Sequence, residues 1–151
     1  MAIGLAFHTL AVIIWVGGIF FAHMVLRPSA GPLDAGIRLP LWHRVFSRFF
    51  PWVWLSIATI HVSGFAMVFL GFGGFAAAGA SVHAMTGLGI VMTLVYAYIY
   101  FLPWQRFRRA VPAADWTAAE TAIGQIRRAV RFNLMLGLIT AVIGAGGRYW
   151  V

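Results

Sequence analysis

An all-α integral membrane bundle of four helices is the fold class this sequence predicts, and three observations predict it. The 151-residue chain is 62% hydrophobic and 9% charged, with a mean hydropathy of +0.90, values that soluble domains of this size do not reach. Four windows, about residues 3–26, 45–71, 83–104 and 131–147, are long and apolar enough to cross a hydrocarbon core of ~30 Å, which takes about 20 helical residues. The charge is segregated as well: all eleven basic residues are arginines, and only Asp34, Asp115 and Glu120 oppose them, for a net +8.

The first window has neither a basic n-region nor a small-residue cleavage site after a short apolar run, so it reads as a span and not as a removable signal. The connection that follows, "RPSAGPLDAGIRLPLWHR", is interrupted by Pro28, Pro32 and Pro40 and reads as a loop; it carries Arg27, Arg38 and Arg44, with Arg48 just beyond. Pro51 predicts a kink in the second span. The second connection, "GFGGFAAAGAS", is uncharged, whereas the third, from Arg106 to Arg131, holds six arginines. The positive-inside rule then places the first and third loops in the cytoplasm and both termini on the outer, periplasmic side of a bacterial inner membrane. Within the third loop, Asp115 follows Pro112, and "TAAE" (Thr117 to Glu120) has capping-box spacing. A cytoplasmic amphipathic helix is therefore expected over about 115–130, running into the fourth span. Trp116, Ile123, Ile126 and Val130 would face the bilayer interface, and Arg127, Arg128 and Arg131 would reach lipid phosphates. Glycines 137, 144, 146 and 147 allow close helix approach in the fourth span. The whole chain, 1–151, reads as a single membrane domain.

Several functions are excluded or disfavoured at this level. The absence of cysteine removes disulfides and thiolate metal sites. "GFGG" has no following Lys-Ser/Thr to make a phosphate cradle, no carboxylate lies within a span to relay protons, and serine and threonine occur without a nucleophile constellation. In a chain this apolar, the positive charge reads as an orientation signal and headgroup contact, with no nucleic-acid partner.

The histidines carry the chemistry. His8 and His23 are fifteen residues apart on the first span, a rise of roughly 22 Å with a net rotation of about 60°, and His43 and His61 repeat the arrangement on the second at roughly 27 Å. Because the two helices run in opposite senses, His8 and His61 fall in the outer half and His23 and His43 near the inner face. An ionisable group inside a membrane faces the bundle interior and has a partner. Haem iron is such a partner, held by axial ligands at similar depth on facing helices. Haem b on His8 and His61 is the leading expectation, with a second haem on His23 and His43, and Trp15, Gly17, Gly18, Phe20, Gly64 and Phe65 as wall. The plainer reading is a hydrogen bond to a neighbouring helix for the deeper pair and an interfacial position for His23 and His43. His83, at the mouth of the third span, is a ligand, a propionate contact or a wet surface residue. Arg148 is either a propionate partner or a snorkelling arginine beside Tyr149 and Trp150.

His8, followed by Trp15, Gly17, Gly18 and Phe20, resembles the opening helix of the HemJ-type protoporphyrinogen oxidases and of the related copper-resistance D (CopD) membrane domain. "VHAM" at the third span, His83 to Met85, resembles a His-x-Lys start in the HemJ group, and "RFN", Arg131 to Asn133, resembles the start of its last span. The resemblance implies a four-helix haem b protein with His8 as axial ligand. It also implies a lysine on the third span, yet this chain has none, and Met85 occupies that place. The CopD resemblance implies copper transport or tolerance, for which histidine and methionine are suitable ligands; His23 with Met24, or His83 with Met85, would be short ligand pairs.

The sequence therefore favours a haem b membrane cytochrome moving electrons between the quinone pool and an outer-face, periplasmic redox partner. His8 and His61 are the iron ligands, and His83 or Met85 the substitute. The alternatives are a copper transport or tolerance protein using His83, Met85, His8 and His61, a haem-dependent oxidoreductase of the protoporphyrinogen oxidase kind, and a cofactor-free helical scaffold. Assembly as a homo-oligomer is left open.

Overall fold

The computed structural model describes residues 1–147, and among these there are helices and turns but no strand. Helix α1 spans Ala2–Ala30 and α2 Ala35–Gly71. A single 3₁₀ turn, Phe75–Ala77, precedes α3, Ala80–Phe101; α4 is Pro103–Ala110 and α5 Trp116–Gly146. Four helical stretches, with α3 and α4 counted as one, are long and apolar enough to cross a membrane. This is an integral membrane protein built of four long helices.

The helices are longer than the windows expected from hydropathy, and the excess lies at one end. A 30-residue helix is about 45 Å long, against a hydrocarbon core of ~30 Å. At what we call the basic end, α1 runs on to Ala30, α2 starts at Ala35, and α5 starts at Trp116. The proline-broken loop expected after Arg27 is thus mostly helix. Pro28 sits in the last stretch of α1, while Pro40 and Pro51 lie inside α2. Each proline removes one ladder donor, which a membrane helix tolerates where a neighbour satisfies the backbone. The Tyr96 hydroxyl, next to Pro51, ties α3 to α2 by donating to the Phe50 carbonyl at 3.0 Å; the carbonyl this proline frees is that of Ser47, one turn back. At the other break, Pro103 disfavours helical geometry at the residue before it, and Leu102 stands at φ −110°, ψ −82°.

The start of α5 differs from the capping box expected at Thr117. Asp115 is the cap, its carboxylate accepting from the Ala118 N–H at 3.0 Å. Glu120 instead pairs with Arg38 of α2. Ile123 and Ile126, expected at the bilayer interface, are fully buried in the protein core. The reason is α4, a short helix that buries Trp104, Phe107 and Ala110 while its arginines 106, 108 and 109 stay exposed. Together with Trp42, Phe46 and Phe50 of α2 these side chains make an aromatic core. Phe46 and Phe50 stack at 5.1 Å, and Phe50 meets Trp104 edge-on at 5.1 Å.

The opposite, glycine-rich end is built differently. No residue of α3 before Met92 is buried, and none of α5 after Gly137. Small residues admit large ones there: Met1 lies against Gly71, and Met85 against Gly144. Arg148, with Tyr149 and Trp150, lies outside the described residues.

Candidate functional site

Two imidazoles lie along one stretch of α2: His8, which reaches it from α1, and His61, which α2 itself carries. The His8 ring packs on Gly64, where an added Cβ would stand 3.4 Å from its Cε1, and His8 Nδ1 lies 3.0 Å from Ser63 Oγ. Ser63 is buried and its hydroxyl donates to the Thr59 carbonyl, so its oxygen is left to accept and His8 carries its proton on Nδ1. His61, on the same turn of α2, has Nδ1 at 2.8 Å from the Ile57 carbonyl. A carbonyl only accepts, so Nδ1 is again the protonated nitrogen. In both residues the Nε2 lone pair is therefore free. A histidine whose second nitrogen donates to a carbonyl or hydroxyl, fixing ring and tautomer, is the usual arrangement of a metal-ligating histidine.

Thioethers continue the α1–α2 seam outward. Met67 lies one turn beyond Ser63 and packs on Gly4, one turn before His8; its Sδ is 4.0 Å from where a Gly4 Cβ would stand. Met1 against Gly71 is the next contact along. Imidazole and sulfur thus stand on successive turns, about 5–6 Å apart in rise. Ser63 and Met67 went unrecognised as site residues in the sequence. The available signal was a serine beside glycine, "HVSGFAM", inside an otherwise apolar span.

The other expected ligands are dispersed. His83 is exposed and faces Phe75 at 5.7 Å; Phe75 meets Phe65 at 6.3 Å, and Phe65 meets His61 at 6.1 Å. Met85, two residues from His83, points to the other side of α3, toward Gly144 of α5, so these two do not make a short ligand pair. The reason is the helix itself, which turns about 200° in two residues. His23 and His43 likewise do not face each other. Trp42 and His23 line one cleft, and the next residue, His43, is turned by about 100° onto α4, with its ring 5.6 Å from Trp104 and 6.4 Å from Phe107. Trp15 sits two turns inward of His8, edge-on to Tyr96 at 6.3 Å, so it is no wall of the His8 site.

Imidazoles suit a metal, but the arrangement of His8 and His61 lends no support to a haem between them. Axial ligands must face each other across a flat macrocycle. Here the His8 ring rests on Ser63 and Gly64 of α2, whereas His61, two residues before Ser63, is turned by about 200° from that serine and lies against the Ile57 carbonyl and Phe65 of its own helix. Among the described residues no group of three or more His, Cys, Asp or Glu stands close enough to hold a metal ion.

Four membrane-length helices define a class, that of helical integral membrane proteins. Within that class the chain belongs to the copper resistance protein D (CopD) family, whose profile matches residues 43–146, well over half of it. The matched segment contains His61, Met67, His83 and Met85, whereas α1 with His8 precedes it. No curated protein and no solved structure matches the chain.

Proposed function

We propose that this protein handles copper, as Cu(I), at the α1–α2 seam, in a copper-tolerance or copper-transport role. The carrying observation is the pair of histidines whose Nδ1 protons are committed to Ser63 and to the Ile57 carbonyl, leaving Nε2 of each as the unprotonated nitrogen. Family membership supports the same reading and favours it over the haem cytochrome that the histidine spacing led us to expect. His8 and His61 are the imidazole ligands in this proposal, and Met67 is the thioether by which the ion enters from the glycine-rich end. His83, across Phe75 and Phe65 from His61, is the outer acceptor. In this reading the arginines hold the basic end in the cytoplasm of a bacterial inner membrane, so that the seam opens outward.

The test is a Cu(I) titration against a chromophoric chelator on detergent-purified wild type, His8→Ala and His61→Ala, with a pyridine haemochrome assay on the same samples. One Cu(I) bound per wild-type chain, weakened at least tenfold in each variant, is the expected result. A wild type that binds no Cu(I), or that purifies with stoichiometric haem b, overturns it.

A further inference from the structure

At the basic end, α1 and α5 leave a cleft floored by α2. Its outer lobe is a groove open on one side, with Arg27, Trp42 and Arg127 around it. A narrow inner lobe reaches Trp15 and Asn133, and the two lobes share Ala22, Phe46 and Val130 as common wall. Five of the seven buried side-chain N and O atoms without a hydrogen-bond partner among the described residues belong to this one cleft: Trp42 Nε1, Arg127 Nε, Trp15 Nε1 and both polar atoms of the Asn133 amide. Trp15, Trp42 and Asn133 are 2%, 4% and 1% exposed. Buried polar groups are otherwise nearly always paired, and an unpaired one is costly, so this concentration marks a place built to be paired by something else.

The chemistry of the occupant follows from the donors. Four of those five atoms are N–H donors, so the ligand is rich in acceptors. The outer lobe has two guanidinium groups, and the carboxylate on this stretch of α5, Glu120, is engaged by Arg38, so the head of the ligand is anionic. Between the polar ends the walls are apolar, so the ligand is amphiphilic. Spacing narrows it further. Arg127 and Asn133 are six residues apart on a continuous helix, a rise of about 9 Å. That is close to the thickness of one interfacial layer, roughly 5–8 Å, which separates a phospholipid's phosphate from its hydrocarbon.

We propose that this cleft is a seat for one anionic diacyl phospholipid from the leaflet at the basic end. Its phosphate lies between Arg27 and Arg127, an ester carbonyl accepts from the Asn133 amide, and an acyl chain follows Phe46 and Val130 toward Trp15. The site is separate from the His8–His61 seam and does not depend on the copper reading.

The experiment uses delipidated, detergent-purified full chain, with dioleoyl phosphatidylglycerol, dioleoyl phosphatidylcholine and inorganic phosphate as probes, read by native mass spectrometry and thermal shift. Wild type should retain one phosphatidylglycerol per chain and gain Tm with it, and gain less with phosphatidylcholine. Arg127→Gln and Arg27→Gln should each weaken phosphatidylglycerol about tenfold and abolish its advantage over phosphatidylcholine. Arg27 is exposed, so its variant separates binding from folding. Asn133→Leu should weaken both lipids while the lipid-free protein melts no lower than wild type, because an unpaired amide has been replaced by an apolar group of similar size. Equal shifts from both lipids in wild type and all variants would reduce the site to ordinary annular lipid and overturn the proposal. An equal shift from inorganic phosphate would overturn it in favour of a free anion.

Discussion

The two ends of this bundle solve helix packing in opposite ways. At the basic end, large aromatic side chains from α2 and α4 interlock with Ile123 and Ile126 of α5, and most of the buried apolar residues gather there. At the glycine-rich end, single large side chains rest on glycines: Met1 on Gly71, Met67 on Gly4, His8 on Gly64, Met85 on Gly144. In lipid there is no hydrophobic drive between apolar helices, so close approach through small residues and shape fit must hold them. The basic end extends beyond the hydrocarbon core, where water is excluded by burying rings, and there the soluble-protein logic of an aromatic core applies. The first end supplies rigidity. The second sets polarisable sulfur and imidazole against glycine backbone.

The comparison breaks most sharply at Phe107, which is fully buried at the centre of the aromatic core. Phe107→Ala should destabilise the protein by about 3–5 kcal/mol through lost contact and a residual cavity. Leu70→Ala, at an 89% exposed position of the glycine-rich end, should change stability by less than about 0.5 kcal/mol. Chemical unfolding of both variants in one detergent checks the pair. Similar losses would mean that the two ends are not packed by different rules.

Gly137 marks the boundary between the regimes. A Cβ there would stand 2.9 Å from Val16 and 3.1 Å from Met92, inside van der Waals contact with both α1 and α3. Gly137→Ala should therefore cost about 1–3 kcal/mol in the same unfolding experiment, although alanine is the better helix former. A stabilised variant would show that α1, α3 and α5 slide past one another at this level.

How much of this was legible in the sequence follows the same divide. The four spans, and the arrival of His8 at the turn that bears His61, could be read from hydropathy and antiparallel helix geometry. The aromatic core could not. Arginine-rich, proline-broken stretches look like loops, and only the burial of Phe107 against Ile123 and Ile126 turns them into packed helix. His23 and His43 do not face each other for a local reason: His23 shares a cleft with Trp42, and His43, one residue on, is turned by about 100° onto Trp104 and Phe107. Four of the six methionines fall on two seams, Met1 and Met67 between α1 and α2, Met85 and Met92 between α3 and α5, while Met24 and Met135 are exposed. Which glycine of a neighbour receives each one is tertiary information.

The smallest expected effect is the one that most sharpens the comparison. Ser63 has no part in the aromatic core, and its hydroxyl supports His8 from outside any ligand set. If the glycine-rich end is arranged for metal chemistry, Ser63→Ala should weaken Cu(I) binding about tenfold by releasing the His8 ring and its tautomer, as loss of an orienting hydrogen bond does at metal sites. Ser63→Thr, which keeps the hydroxyl, should restore most of it. Stability should fall by no more than about 0.5–1.5 kcal/mol, the net worth of one hydrogen bond. If instead the serine only ties α1 to α2, affinity would stay unchanged while stability alone fell, and His8 would be a packing residue like the methionines around it. The ratio of the two losses, measured on one preparation by chelator competition and by unfolding, decides which of these the seam is.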